Sequence, residues 1–208
     1  APLQKSMTWT EETGCPVLCS CLSSHAVMQF RYGERRRALP RKIWGVFEHQ
    51  VLAKGHVLAD GLSATVPVPQ SRFNEITAAQ FQAAGLDVII ADSFAGVHLA
   101  ANQDNSLVLM QGHPEYDDVS LLKEYKREVS LFGEGRREEY PPIPESILEA
   151  EGVSLLEDHQ EAVLAGVRVN GKGQIPKFPE WEVKPFLTNQ WNAPARQVFD
   201  NWLKLLTE

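Results

Sequence analysis

The chain changes from strand to helix in the stretch Cys15-Pro16-Val17-Leu18-Cys19-Ser20-Cys21-Leu22-Ser23. The first part of this stretch is a short apolar run, typical of a strand that is buried on both faces. From Leu22 to Tyr32 apolar residues recur at helical spacing, and Gly33 is expected to end that helix. Strands that alternate with helices are the mark of an α/β fold, so this stretch predicts the fold class.

The remaining sequence continues the alternation of strands and helices. Strands are predicted at 43–52, 87–91, 98–101 and 106–111, and helices at 3–13, 75–84, 118–132 and 195–206, with a helix or two within 147–164. Val66-Pro67-Val68-Pro69 is predicted to be an extended loop, because two prolines remove hydrogen-bond donors from a sheet. Asn170-Gly171-Lys172-Gly173 predicts a turn.

The organisation predicted from these patterns is a single, partial domain over residues 1–208. Residues 133–185 are rich in proline, glycine and charge, and they are predicted to form an irregular, insertion-like segment within that domain. The sequence shows no internal repeat.

Composition and charge argue against several classes of protein. The chain has 208 residues, of which 43% are hydrophobic and 23% charged, as in soluble globular proteins with a sizeable core. Its net charge of −7 gives no electrostatic reason to bind a nucleic-acid backbone. The sequence shows neither an apolar run long enough to span a membrane nor a secretion signal. We therefore expect a cytoplasmic protein that binds neither nucleic acid nor membrane.

The three cysteines lie close together, between Cys15 and Cys21. Bridges over such short distances would be strained and an odd count leaves one thiol free, so a disulfide framework is not expected and a reducing compartment is. A structural zinc site needs a second pair of ligands that is missing, and the spacing of an iron–sulfur loop is not found. No metal site is predicted.

Cys21 is the first candidate for chemistry, because it stands between the predicted strand and helix. A thiol at a helix N-terminus is favoured in its ionised form, and backbone N–H groups there can face a developing oxyanion. The alternative is a small buried side chain without a chemical role, which is common for free cysteines.

The second candidate is the run Gly112-His113-Pro114-Glu115. The proline fixes the local backbone, so the carboxylate of Glu115 can orient the imidazole of His113. Together with a thiol from elsewhere in the fold, these groups would form the nucleophile, base and orienting group of covalent acyl chemistry. The alternative is a polar turn that follows a buried strand.

Several further segments occur in an order that is typical of one family. They are Trp44-Gly45-Val46-Phe47-Glu48-His49, Pro69-Gln70-Ser71-Arg72-Phe73-Asn74-Glu75, Ala95-Gly96-Val97-His98, Gly112-His113-Pro114-Glu115-Tyr116-Asp117, Glu124-Tyr125-Lys126-Arg127 and Phe199-Asp200-Asn201-Trp202-Leu203. The ordered set resembles the homoserine O-succinyltransferase/O-acetyltransferase family of methionine biosynthesis. The resemblance extends from Cys15 to Leu206 and is poorest between Glu145 and Pro185. It implies a flavodoxin-like, class I glutamine amidotransferase-like three-layer sandwich that lacks its N-terminal strands.

The resemblance also implies roles for six residues. Cys21 would be the nucleophile that forms an acyl thioester, His113 the general base and Glu115 its partner. The substrate-binding positions would be Lys42, Ser71 and Arg127. The implied substrates are homoserine and either succinyl-CoA or acetyl-CoA, with succinyl preferred. Acyl-CoA is a co-substrate, so no cofactor is expected, and a homodimer is one candidate assembly.

The sequence departs from the family pattern at two places near these residues. Leu22-Ser23-Ser24-His25 stands where many members have a tryptophan–glycine pair, and Gln70 stands where a histidine is common. Two other functions remain open. One is a glutamine amidotransferase-like hydrolase, against which the absence of glycines beside Cys21 counts, and the other is an inactive truncated homologue.

A basic run adds one more open alternative. It comprises Arg35-Arg36-Arg37 with Arg41 and Lys42. Such a run is most often a solvated surface, but it could also contact the phosphates of a donor such as coenzyme A.

Overall fold

The computed structural model describes residues 2–170, 173 and 175–207. The chain divides into two compact units, Ala1–Glu115 with Gln190–Glu208 and Tyr116–Asn189. The segment 133–185 falls within the second unit, and the single domain over 1–208 stays a prediction. Among the residues described, no helix is both long enough and apolar enough to cross a membrane.

Among the described residues, the six strands lie in the first unit, and helices occur in both units. The strands are β1 Val17–Ser20, β2 Arg37–Val51, β3 Thr65–Glu75, β4 Asp87–Asp92, β5 Gly96–Ala101 and β6 Leu107–Met110. The helices are α1 Pro2–Thr13, α2 Leu22–Tyr32, α3 Ala78–Ala83, α4 Ser120–Gly133, α5 Ala150–Asn170, α6 Glu180–Val183 and α7 Asn192–Leu205. Short 3-10 helices lie at Val57–Ala59 and Lys184–Phe186.

The strands form one mixed sheet in the order β1-β6-β5-β4-β2-β3. β1 and β6 run parallel, and each of the other neighbouring pairs is antiparallel. In the parallel pair Ser20 lies opposite Met110. Both strands therefore end at the same edge of the sheet, where Cys21 follows one strand and Gln111-Gly112-His113 follows the other.

Helices cover both faces of this sheet. On one face α1, α2 and α3 pack through buried side chains that include Met7, Met28 and Phe81. On the other face Val198 of α7 packs in a cluster that includes Val68 of β3. Full burial of an apolar side chain of this size contributes about 1.5–3 kcal/mol. The predicted α/β class and three-layer arrangement are confirmed.

The segment Val66-Pro67-Val68-Pro69 lies inside β3, so its prediction as a loop was wrong. Pro67 pairs with Glu48 and Pro69 with Val46 of β2. β3 is the last strand of the sheet. At an edge, a proline can direct its missing N–H away from the neighbouring strand, so that no bond of the ladder is lost.

The second unit is built from α4, α5 and α6. The predicted helix 118–132 is α4, which buries Leu122, Tyr125 and Val129. An ion pair between Lys126 and Glu180 joins α4 to α6. The predicted helical segment 147–164 corresponds to α5, and residues 171 and 172 of the predicted turn at 170–173 lie outside the described residues.

Gly112 lies between the sheet and the candidate site, where the packing leaves no room for a side chain. A Cβ at this position would lie 2.6 Å from Val68 Cγ1 and 2.9 Å from both His98 Nδ1 and the Pro69 oxygen. We expect Gly112→Ala to lower the free energy of unfolding by about 1–3 kcal/mol, the usual cost of overpacking. Gly55→Ala is the control, because a Cβ there meets nothing within 4 Å. Urea unfolding measures both variants, and equal stability would contradict this packing.

Candidate active site

Cys21 occupies a sharp turn between β1 and α2. Its φ of 46° and ψ of −112° lie in a region that residues with side chains rarely adopt. The Cys21 N–H donates to the Met110 oxygen at 2.8 Å, and the Cys21 oxygen accepts from the His25 N–H at 3.2 Å. The half-buried thiol therefore stands at the start of a helix, as in a nucleophile elbow. The turn forms although no glycine flanks it.

His113 is held by its backbone and by its ring. Its N–H donates to the Pro69 oxygen at 2.8 Å, and its Nδ1 lies 2.8 Å from Glu115 Oε1. A carboxylate only accepts, so Nδ1 carries a proton. The imidazole also forms a hydrogen bond with the Cys21 side chain. The structure thus brings the three predicted catalytic residues together, and their catalytic roles stay predictions.

The surroundings of His113 raise its pKa. Burial lowers the pKa, but hydrogen bonds with Cys21 and Glu115 and the negative charges of both raise it from 6.5 to about 9. Burial raises the pKa of Glu115. Hydrogen bonds, of which the one from His113 has the largest effect, outweigh burial and keep this pKa below its usual value. The arrangement therefore favours an imidazolium at His113 beside a carboxylate at Glu115.

The raised pKa of His113 links the site to the stability of the fold. Its folded-state value of about 9 is above the ordinary value of 6.5. The stability that protonated His113 adds to the fold is therefore fully present below pH 6.5 and is lost as the pH rises through about 9.

The three predicted substrate-binding residues lie on three different elements, β2, β3 and α4. Lys42 Nζ lies 3.6 Å from the ring centroid of Trp44, and Ser71 is the register partner of Trp44 across the β2–β3 hairpin. Arg127 lies on α4 in the second unit, where its Nη2 is 3.0 Å from Glu128 Oε1 and its side chain is 67% exposed. Their roles in substrate binding stay predictions.

Gln111 is a supporting residue that the sequence did not single out. It is fully buried, and its Oε1 accepts from the Ile76 N–H at 2.7 Å and lies 2.9 Å from His25 Nε2. Its Nε2 donates to the oxygens of Ile76 and Val97, both at 2.9 Å. Four bonds to one buried amide fix the residue that precedes Gly112. A glutamine that directly follows an apolar strand is the signal that could have found it.

Gln70, which departs from the predicted family pattern, also takes part in a buried polar chain. Arg72 Nε donates to Gln70 Oε1 at 3.0 Å, and Gln70 Nε2 lies 3.2 Å from His49 Nε2. His49 Nδ1 in turn donates to the Phe47 oxygen at 2.8 Å. The glutamine is therefore accommodated with both ends of its amide bonded.

A cavity of about 650 Å³ adjoins Glu115. It is lined by Leu18, Ser20, Met110, Pro114, Glu115, Asn192, Ala195, Arg196 and Phe199. Most of its wall is apolar, and its lining includes Ser20, which precedes Cys21 in the chain, and Glu115, which binds His113. Across the described part of the chain, no three His, Cys, Asp or Glu side chains are grouped to hold a metal ion.

Comparison with known sequences decides the family. The family model for homoserine O-succinyltransferase matches residues 1–208. The chain belongs to this family. Proteins named homoserine O-succinyltransferase from Allochromatium vinosum and Nitrosococcus oceani are 47% and 43% identical to it, over 99% and 97% of this chain. The matches cover 57% and 56% of those relatives, so the chain spans little more than half of their length.

The fold of this homoserine O-succinyltransferase family member also has a counterpart among solved structures. A glutamine amidotransferase from Thermotoga maritima matches with a TM-score of 0.54 and 10% identity, over 97% of this chain and 68% of that one. Similarity at this level of identity concerns the fold alone. It confirms the predicted class I glutamine amidotransferase-like fold.

Removing either ionic partner of His113 is expected to lower its pKa below about 9. Cys21→Ala removes a hydrogen bond and a negative charge, and Glu115→Gln removes the charge while keeping an oxygen acceptor. NMR titration of the imidazole C–H signals measures the change. Cys15→Ala is the matched control, because it removes an exposed thiol. An unchanged His113 titration in both site variants would contradict the ion-pair geometry.

Proposed function

We propose that this chain carries a homoserine O-acyltransferase activity in methionine biosynthesis, with Cys21 as the nucleophile and succinyl-CoA preferred to acetyl-CoA. The observation that carries the proposal is the thiol at a strained turn, hydrogen-bonded to an imidazole that a carboxylate holds. Membership of the family supports the choice of substrates. Nucleophile, base and orienting group are the requirements of covalent acyl transfer.

In the first half-reaction, the sulfur of Cys21 attacks the carbonyl carbon of the acyl-CoA thioester. The first turn of a helix leaves backbone N–H groups without intrahelical acceptors, so α2 can stabilise the oxyanion that forms beside Cys21. The carbon–sulfur bond to coenzyme A then breaks, and the departing thiolate takes the proton of the His113 imidazolium. The acyl group is left on Cys21 and His113 is neutral.

In the second half-reaction, the same histidine acts as a base. Acylation removes the charge through which Cys21 raises the pKa of His113, so that pKa falls once the thioester exists. His113 takes the proton of the homoserine hydroxyl while the oxygen attacks the thioester carbonyl. The bond from the acyl carbon to Cys21 breaks, and the ion pair is restored.

The remaining assignments rest on the family resemblance. Arg127 is proposed to bind a carboxylate through its planar fork, Lys42 to supply a point charge and Ser71 to orient substrate through its hydroxyl. We also propose that acyl-CoA is the co-substrate without a further cofactor, that the protein acts in the cytoplasm, and that a homodimer is one candidate assembly.

Cys21→Ala and His113→Ala are each expected to reduce succinyl transfer to homoserine by about a thousandfold or more, because each removes a group that takes part in both half-reactions. Formation of O-succinylhomoserine, followed by mass spectrometry, measures the loss, and urea unfolding checks that the fold is kept.

Cys15→Ala serves as the control and should keep the activity of the unaltered chain. Succinyl transfer that is retained in either Cys21→Ala or His113→Ala would contradict the mechanism. Hydrolysis of glutamine by the unaltered chain would favour the amidotransferase-like alternative, whereas folded protein without transfer would favour an inactive homologue.

A further inference from the structure

We infer that Ser20 is a positioning residue, whose hydroxyl fixes the Glu115 carboxylate in the orientation that holds His113. The inference rests on the proposed function and adds a fourth side chain to its site. Ser20 is the last residue of β1 and precedes Cys21, and the pairing of β1 with β6 brings its hydroxyl to Glu115.

Two different residues bind the two oxygens of Glu115. Ser20 Oγ donates to Oε2 at 2.9 Å, while Oε1 lies 2.8 Å from His113 Nδ1. The Ser20 hydroxyl also lies 3.3 Å from the Gly112 oxygen. A hydroxyl has one proton to donate, and the nearer, charged acceptor is favoured. Bonds at both oxygens fix the position of the carboxylate and also its rotation.

Glu115 needs this second anchor because its environment is open. Its side chain is 54% exposed and it lines the cavity of about 650 Å³ described above. A glutamate with freedom to rotate loses entropy when a single contact orders it, which weakens that contact. Ser20 lines the same cavity, so its hydroxyl lies where it meets the oxygen that His113 does not use.

The backbone holds Ser20 firmly enough to act as an anchor. Its N–H donates to Ser23 Oγ at 3.0 Å, and its oxygen accepts from the same hydroxyl at 2.6 Å. Met110 lies opposite in the parallel pair. Because Ser20 directly precedes Cys21, one short piece of backbone positions both the nucleophile and the partner of the base.

Thr and Val at position 20 separate the hydroxyl from the shape of the side chain, since they differ only in a hydroxyl and a methyl group. In Ser20→Val the carboxylate loses an anchor, so the pKa of His113 is expected to fall by about one unit, a tenfold change in its protonation equilibrium. Ser20→Thr should keep the pKa of His113 at about 9. NMR titration of the full chain measures both, and Ser20→Ala repeats the test if the Val variant does not fold.

Ser24→Ala is the control for loss of a hydroxyl near the site, because the Ser24 Oγ lies 2.7 Å from the Met110 oxygen and 3.0 Å from the Cys19 oxygen and makes no contact with Glu115 in the described hydrogen bonds. The Ser24→Ala variant should have a lower free energy of unfolding and an unchanged pKa of His113. If Thr and Val at position 20 give the same pKa of His113 while the unaltered chain shows about 9, the role of Ser20 is overturned and the mechanism stands. An unaltered chain with the ordinary value of 6.5 would overturn the ion pair itself.

Discussion

The parallel pairing of β1 with β6 is the constraint on which the site depends. Ser20 lies opposite Met110, and the Cys21 N–H extends this pairing by donating to the Met110 oxygen. Immediately afterwards one strand turns into α2, while the other continues to His113. A shift of one residue in the register would reverse the faces of the side chains and separate the thiol from the imidazole. All four residues of β6 are buried, which opposes such a shift.

The charges and hydrogen bonds around His113 then determine whether its imidazole carries a proton. A buried imidazole ordinarily loses its proton, and the pKa values of His25 and His49, which bond to uncharged groups, are lowered by burial. His113 differs because two negatively charged side chains contact it and raise its pKa to about 9. In the proposed reaction one of these charges disappears when Cys21 carries the acyl group. The same histidine can then act first as an acid and afterwards as a base.

Local signals in the sequence predicted local structure well. The helix from Leu22 to Tyr32 and its end at Gly33 are as expected, because apolar periodicity and a left-handed glycine are properties of adjacent residues. Pro67 was misjudged because its tolerance depends on the edge position of β3, which no neighbouring residue reveals. The contacts of Ser20 and Gln111 were missed for a related reason. Their partners are distant in sequence and become neighbours only after the strands pair.

Intact-protein mass spectrometry can show whether Cys21 carries the acyl group. The chain is mixed with succinyl-CoA, or with acetyl-CoA in a parallel sample, and homoserine is added only afterwards. We expect an added acyl mass on the unaltered chain, its loss when homoserine is added, and no addition to Cys21→Ala. An adduct of equal extent on Cys21→Ala, or folded unaltered chain without an adduct from either donor, would contradict this expectation.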